Sequence, residues 1–201
     1  MYAVIKEKKD LHLSRKFVHV FYAAIWIVLS YFISFSSLKI SLFSITALII
    51  FIDYLRLYIP QLNNIIMFFF APVMRSSDVS SVSSFSYYSL GLSFVVFFFS
   101  KEIAVPTFFV IGLADPLASL MGNLFGKKKF LPNKSYVGSF TCFFVGFLIY
   151  YYFFFSHGLM FSLIMALSVF LAEMLSDTGI DDNLLVPVIT SIALYIFLQI
   201  I

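Results

Sequence analysis

The chain has 201 residues, of which 62% are hydrophobic and only 11% charged, and its formal net charge is +3. A soluble domain carries about a quarter charged residues, so this composition excludes a water-soluble fold and predicts an all-α integral membrane protein forming one domain over 1–201. Cys142 is the only cysteine, which excludes an intrachain disulfide or a thiolate metal cluster.

About 17–25 apolar residues cross a bilayer as a helix. On that basis about seven spans are predicted, at 17–35, 38–56, 85–100, 103–121, 138–156, 159–176 and 184–201. The basic residues Lys6, Lys8, Lys9, Arg15 and Lys16 precede the first span, where they suit anionic headgroups and orientation rather than nucleic acid. Between the second and third spans, 61–75 carries Leu62, Ile65, Ile66, Phe69 and Val73 at helical spacing, which predicts one helix lying in the interface. A polar, Ser-rich loop follows it.

Placing the N-terminus in the cytosol puts 11 of the 13 Lys and Arg residues inside and leaves Lys39 and Lys101 outside. Nine of the ten acidic residues, all but Glu102, then fall on the same inner side. Ionisable groups of both signs gathered at one face differ from a transporter, whose charges sit near the midplane.

Five clusters on that face have chemical potential. Arg15, Lys16 and His19 share a helix face and suit either a phosphate clamp or an ordinary basic flank. Asp53 and Arg56, three apart, suit a local ion pair. Tyr88, in the stretch from Ser86 to Gly91, opens the third span. Asp115 is followed by Gly122 and Gly126, by the basic run Lys127 to Lys129, and by Lys134, Ser135 and Gly138. That order suits a polyphosphate, with small residues allowing close approach by a neighbouring helix or a phosphate and Asp115 suiting an accompanying Mg²⁺. It is not a P-loop, since Phe130 rather than Ser or Thr follows the lysines. Glu173, Asp177, Asp181, Asp182 and Asn183 exceed what helix capping needs and suit a divalent metal.

These blocks resemble the polyprenol kinase family, which includes dolichol kinase, phytol kinase and the CTP-dependent diacylglycerol kinase. The resemblance rests on Arg15 to His19, Tyr88 to Gly91, Asp115-Pro116 through Gly122 and Gly126, Lys134-Ser135 to Gly138, and Glu173 with Asp182-Asn183 and Pro187. The chain departs from the family pattern at His12, Ala114 and Val137, where an acidic residue, a Gly and a Glu are usual. The resemblance implies a phosphotransferase that moves a phosphoryl group from CTP, with Mg²⁺, to a membrane lipid alcohol such as a polyprenol, phytol or diacylglycerol. It implies catalytic roles for Asp115, Glu173 and Lys134, and nucleotide binding by Gly122, Gly126, Lys127, Lys134, Ser135 and Gly138. Metal ligation would fall to Asp115, Asp182 and Asn183. Arg15, Lys16, His19, Asp53, Arg56 and Tyr88 would lie on the acceptor and phosphate side. Phosphatidate cytidylyltransferase and a non-enzymatic or inactive membrane relative are the rival readings. The short chain favours a bacterial plasma membrane, with the endoplasmic reticulum as the alternative.

Overall fold

The structure, a computed structural model, describes residues 13–132, 134–175 and 180–200. The predicted features at Lys6, Lys8, Lys9, His12 and Asp177 lie outside the described residues.

Every predicted span is a helix. They are α1 (Leu13–Phe32), α2 (Phe35–Tyr58), α4 (Ser84–Phe98), the rod formed by α5 (Lys101–Phe109) and α6 (Asp115–Phe125), α7 (Tyr136–Phe153), α8 (Gly158–Leu175) and α9 (Asp182–Ile200). Five of these segments are long and apolar enough to cross a membrane: Phe35–Tyr58, Lys101–Phe125, Tyr136–Phe153, Phe155–Leu175 and Asp182–Ile200. The chain is thus an all-α membrane protein. Among the remaining two, α1 spends its first two turns on Arg15, Lys16 and His19, and α4 is 15 residues long.

The helix predicted over 61–75 is shorter. It runs as α3 (Pro60–Phe70), opens on a proline that needs no helical partner, and gives way to a 3₁₀ turn at Ala71–Val73, where Pro72 withholds its donor. No α3 side chain is buried, and Ile65, Phe68, Phe69 and Phe70 are exposed. A second departure from the prediction is a small antiparallel hairpin of β1 (Lys129–Leu131) and β2 (Lys134–Ser135).

Two apolar cores share the α5–α6 rod. One joins Ala23, Trp26, Leu38, Leu92 and Val95 to Ala104, Phe108 and Ile111 of the rod. The other joins Ile149, Phe161, Met165, Val169 and Leu194 to Ile103, Val110 and Ala114. The rod is not a uniform helix: Val110–Ala114 forms a π turn directly before Asp115. Pro116 cannot donate to the carbonyl of Gly112, one α-helical turn back, and the wider turn falls at that break. With no hydrophobic force between helices in lipid, packing and interhelical hydrogen bonds hold the bundle. Thr46 of α2 bonds Ser89 (2.5 Å) and Ser93 (2.7 Å) of α4, and Tyr22 of α1 reaches Ser89 at 2.8 Å. Gly146 of α7 lies against Val169 of α8 in the same spirit.

Candidate active site

Because successive long helices alternate in direction, one end of the bundle collects the start of α1, the end of α2, the start of α4, the α6 half of the rod, the start of α7, the end of α8 and the start of α9. The described residues of all five polar clusters lie there.

Asp53 and Arg56 form a closed structural knot. Arg56 is 1% exposed and donates through Nε to Asp53 Oδ1 (2.5 Å), through Nη1 to Asn63 Oδ1 (3.0 Å) and through Nη2 to the Ser81 carbonyl (2.8 Å). Asp53 Oδ2 accepts from the Ser83 amide and the Ser86 hydroxyl, each at 2.7 Å. The pair therefore ties the end of α2 to α3, to the loop at Ser81 and to the cap of α4. Tyr88 is likewise committed: it is fully buried, donates to the His19 carbonyl at 3.0 Å, and stacks on the His19 ring at 4.4 Å. These contacts fix α1 against α4 and so fix where Arg15 and Lys16 stand.

The glycines of the fourth cluster allow close packing between elements. A Cβ on Gly122 would stand 2.9 Å from Ser135 Oγ, and one on Gly138 would stand 2.9 Å from the Ala118 carbonyl oxygen. One on Gly126 would come within van der Waals radii of both the Gly122 carbonyl and Ser135 Oγ. Ser135 caps α7, accepting from the Gly138 amide at 3.1 Å. The small residues thus clamp α6 to the start of α7, and the hairpin delivers Lys134 to the interior. Lys127 and Lys128 stay exposed, while Lys129 donates to the Pro132 carbonyl.

Lys134 pairs with Glu173 at 3.1 Å, with side chains only 12% and 6% exposed. Burial works against the Lys134 ammonium, but Glu173, Asp182 and Asp115 outweigh it and hold its pKa above the ordinary 10.5. Val137, the second residue of α7, supplies no carboxylate, and the one opposite Lys134 comes from α8. Asp115 is half-buried and takes part in no hydrogen bond or ion pair among the described residues. The charges acting on it are Asp182, Lys134, Glu173 and Lys16. Four elements distant in sequence thus converge on one uncommitted carboxylate.

The start of α9 supplies the acidic side. Asp181 Oδ1 accepts from Asn183 Nδ2 (2.7 Å) and from the Asn183 amide (3.0 Å), so the predicted asparagine serves the turn. Arg75 bridges Asp181 (3.2 Å) and Asp182 (3.5 Å). Burial and the Asp182 charge raise the Asp181 pKa, against Arg75 and Asn183. Arg15 joins the group electrostatically, with Arg75, Asp182 and Asp115 as its neighbours in charge. Pro187 cannot donate to the Asn183 carbonyl, and Gly91 of α4 approaches that oxygen so closely that a Cβ would sit 2.6 Å from it.

Arg75 is the residue that sequence reasoning missed as a site component. It lies 106 residues from Asp181, with no periodicity linking the two. Among the described residues no group of three or more His, Cys, Asp and Glu forms a metal cluster. The oxygen donors offered include Asp115 and Asp182, which act on each other and have Arg15, Lys16, Arg75 and Lys134 as charged neighbours. Such a donor pair fits a hard divalent cation that also carries phosphate oxygens.

No protein-family model and no solved structure matches the chain. It is similar to CTP-dependent diacylglycerol kinase 1 of Eremothecium gossypii, at 33% identity over 100 residues, covering 49% of this chain and 32% of that protein. It is also similar to CTP-dependent diacylglycerol kinase 1 of Schizosaccharomyces pombe, at 29% identity over 162 residues, covering 73% and 74%. An uncharacterized protein of Rickettsia prowazekii is 26% identical over 201 residues, covering 96% and 94%. The chain thus spans about a third of the first relative and about three quarters of the second. With the convergent polar end described above, these similarities support the resemblance to the polyprenol kinase family that includes the CTP-dependent diacylglycerol kinases.

Proposed function

We propose that the protein is a CTP-dependent lipid kinase that transfers the γ-phosphoryl group of CTP to the hydroxyl of a membrane lipid alcohol at the cytosolic face. Diacylglycerol is the acceptor that the named relatives favour. The observation that carries the reading is Asp115, a carboxylate without a hydrogen bond among the described residues, set among Lys134, Lys16 and Asp182. Phosphoryl transfer needs little covalent help from a protein and depends on positioning and charge neutralisation.

In this scheme Lys134, held charged by Glu173, and Arg15 and Arg75 neutralise the phosphates. Asp115 accepts the proton of the acceptor hydroxyl as its oxygen bonds to the γ-phosphorus and the bond to the β-phosphate oxygen breaks, releasing CDP. Glu173 is engaged with Lys134 and acts by orienting it. Asp115 and Asp182 would hold Mg²⁺, which would neutralise charge on the phosphate oxygens when bound. The excess of Lys and Arg on the predicted inner side supports cytosolic placement, and α3, with its exposed Phe68 and Phe69, supports an interfacial helix beside the site.

The test is purified protein supplied with γ-labelled CTP or ATP and a panel of diacylglycerol, phytol and a polyprenol. Labelled lipid monophosphate with CDP is expected, and Asp115→Asn or Lys134→Ala should abolish labelling while the protein still inserts. Pyrophosphate release with a CDP-lipid product would instead assign a cytidylyltransferase. Full activity in either variant would refute the site.

A further inference from the structure

We infer that the acceptor lipid enters sideways from the bilayer through a groove between α1 and the α5–α6 rod, and that Lys16 receives its hydroxyl there. The inference rests on the kinase reading and gives it an acceptor path. The groove has a volume of about 390 Å³, within the range of small-molecule sites. Its walls are apolar, built mainly by Phe17, Val20, Leu113, Leu117 and Leu120. Phe17 is 71% exposed, and Leu113 and Leu117 stand at the rim with over a third of their surface free. In a bundle of this composition that rim faces lipid, so hydrocarbon can slide in without crossing water.

The inner end of the groove is different. Pro116 lines it, so the groove closes beside Asp115. Lys16 is the one charged lining residue, is 7% exposed, and its Nζ has no hydrogen-bond partner among the described residues. An ammonium buried without an acceptor is costly. Asp115 and Arg15 are its charged neighbours, and neither forms an ion pair with it. The apolar walls offer no oxygen, whereas a lipid alcohol seated tail-outward brings a hydroxyl to Nζ. The π turn shapes one wall, and Gly112 lets α1 approach the floor, since a Cβ there would stand 2.8 Å from that of Ala23. With Lys16 donating to the acceptor oxygen, the hydroxyl proton passes to Asp115, the oxygen–phosphorus bond forms, and CDP departs with the electron pair of the broken bond.

The native full chain in phosphatidylcholine vesicles, with a trace of diacylglycerol bearing a diazirine on one acyl chain, tests this by photolabelling and peptide mapping. Adducts at Phe17, Val20, Leu117 or Leu120 that excess diacylglycerol suppresses are expected. Labels spread over all lipid-facing helices, or equally produced by a diazirine phosphatidylcholine, would overturn the groove. Labelling needs no turnover, so groove adducts on a protein that transfers no phosphoryl group would retain the groove and reject the kinase reading. Active protein labelled elsewhere would do the reverse. As a second measurement, Leu117→Trp fills the rim and should raise the KM for diacylglycerol about tenfold without moving the KM for CTP. An unchanged diacylglycerol KM would also overturn the groove.

Discussion

Replacing Gly91 with alanine puts a methyl carbon 2.6 Å from the Asn183 carbonyl oxygen and 2.6 Å from Pro187 Cγ. Neither atom is the end of a flexible side chain, and ordinary contact begins near 3.4 Å, so α4 and α9 must separate by about 0.8 Å. That shift is carried by the start of α9, which holds Asp181 and Asp182. A misplacement of about 1 Å costs roughly 100-fold in a positioned reaction, and overpacking costs about 1–3 kcal/mol of stability. Gly91→Ala should therefore insert and fold with a lowered thermal midpoint, and lose about 100-fold in kcat/KM for CTP-dependent lipid phosphorylation. Gly146→Ala is the control, since its methyl would meet only Val169 side-chain atoms, the nearest at 3.2 Å, two helical turns below the site. It should lose some stability and keep its rate. Turnover by Gly91→Ala within about threefold of the native protein would refute the claim that α9 is positioned through this contact.

Arg56→Leu should destabilise the protein by about 3–5 kcal/mol, measured as a thermal midpoint in detergent, because Asp53 stays buried without its cation; a shift near zero would contradict the closed knot. Arg75→Gln should change stability by about 1 kcal/mol or less, since Arg75 is 34% exposed, yet raise the KM for CTP about tenfold. An unchanged KM would remove Arg75 from the site. Because the Lys134 pKa is raised above 10.5, its stabilising contribution is present below that pH and is lost only as pH rises through the folded value. The difference in thermal midpoint between native protein and Lys134→Met/Glu173→Gln should thus stay level from about pH 8 to pH 10; a steady decline across that range would count against it.

Hydropathy and charge located the helices, because both follow from short-range order: an apolar run long enough to span must be helical in lipid. The helix predicted to Arg75 ended at Phe70 because one proline outweighed five well-spaced apolar residues. The polar end was also legible, since alternating helix direction fixes which turns meet. What sequence could not separate was commitment from availability. Asp53 and Asp115 look alike as lone carboxylates in apolar helices, yet one is saturated by Arg56, Ser83 and Ser86 and the other is uncommitted. The run of Gly122, Gly126 and Gly138 suited close approach by either a helix or a phosphate, and in the structure these residues bring α6 and α7 together. Arg75 gave no signal because its partners lie more than 100 residues away.

The π turn at Val110–Ala114 has a consequence for phase. Each residue of an α-helix advances its neighbours by about 100°, so one residue absorbed in a wider turn resets the angular position of everything after it. Upstream, Phe108 points to one core; downstream, Asp115 meets the charges of Lys16 on α1, Lys134 on β2, Glu173 on α8 and Asp182 on α9. Winding 110–114 as regular α-helix with no residue removed would leave an equally apolar rod and swing Asp115 roughly a quarter-turn from its neighbours. The irregularity is what allows one helix to serve a core along one half and a reaction along the other.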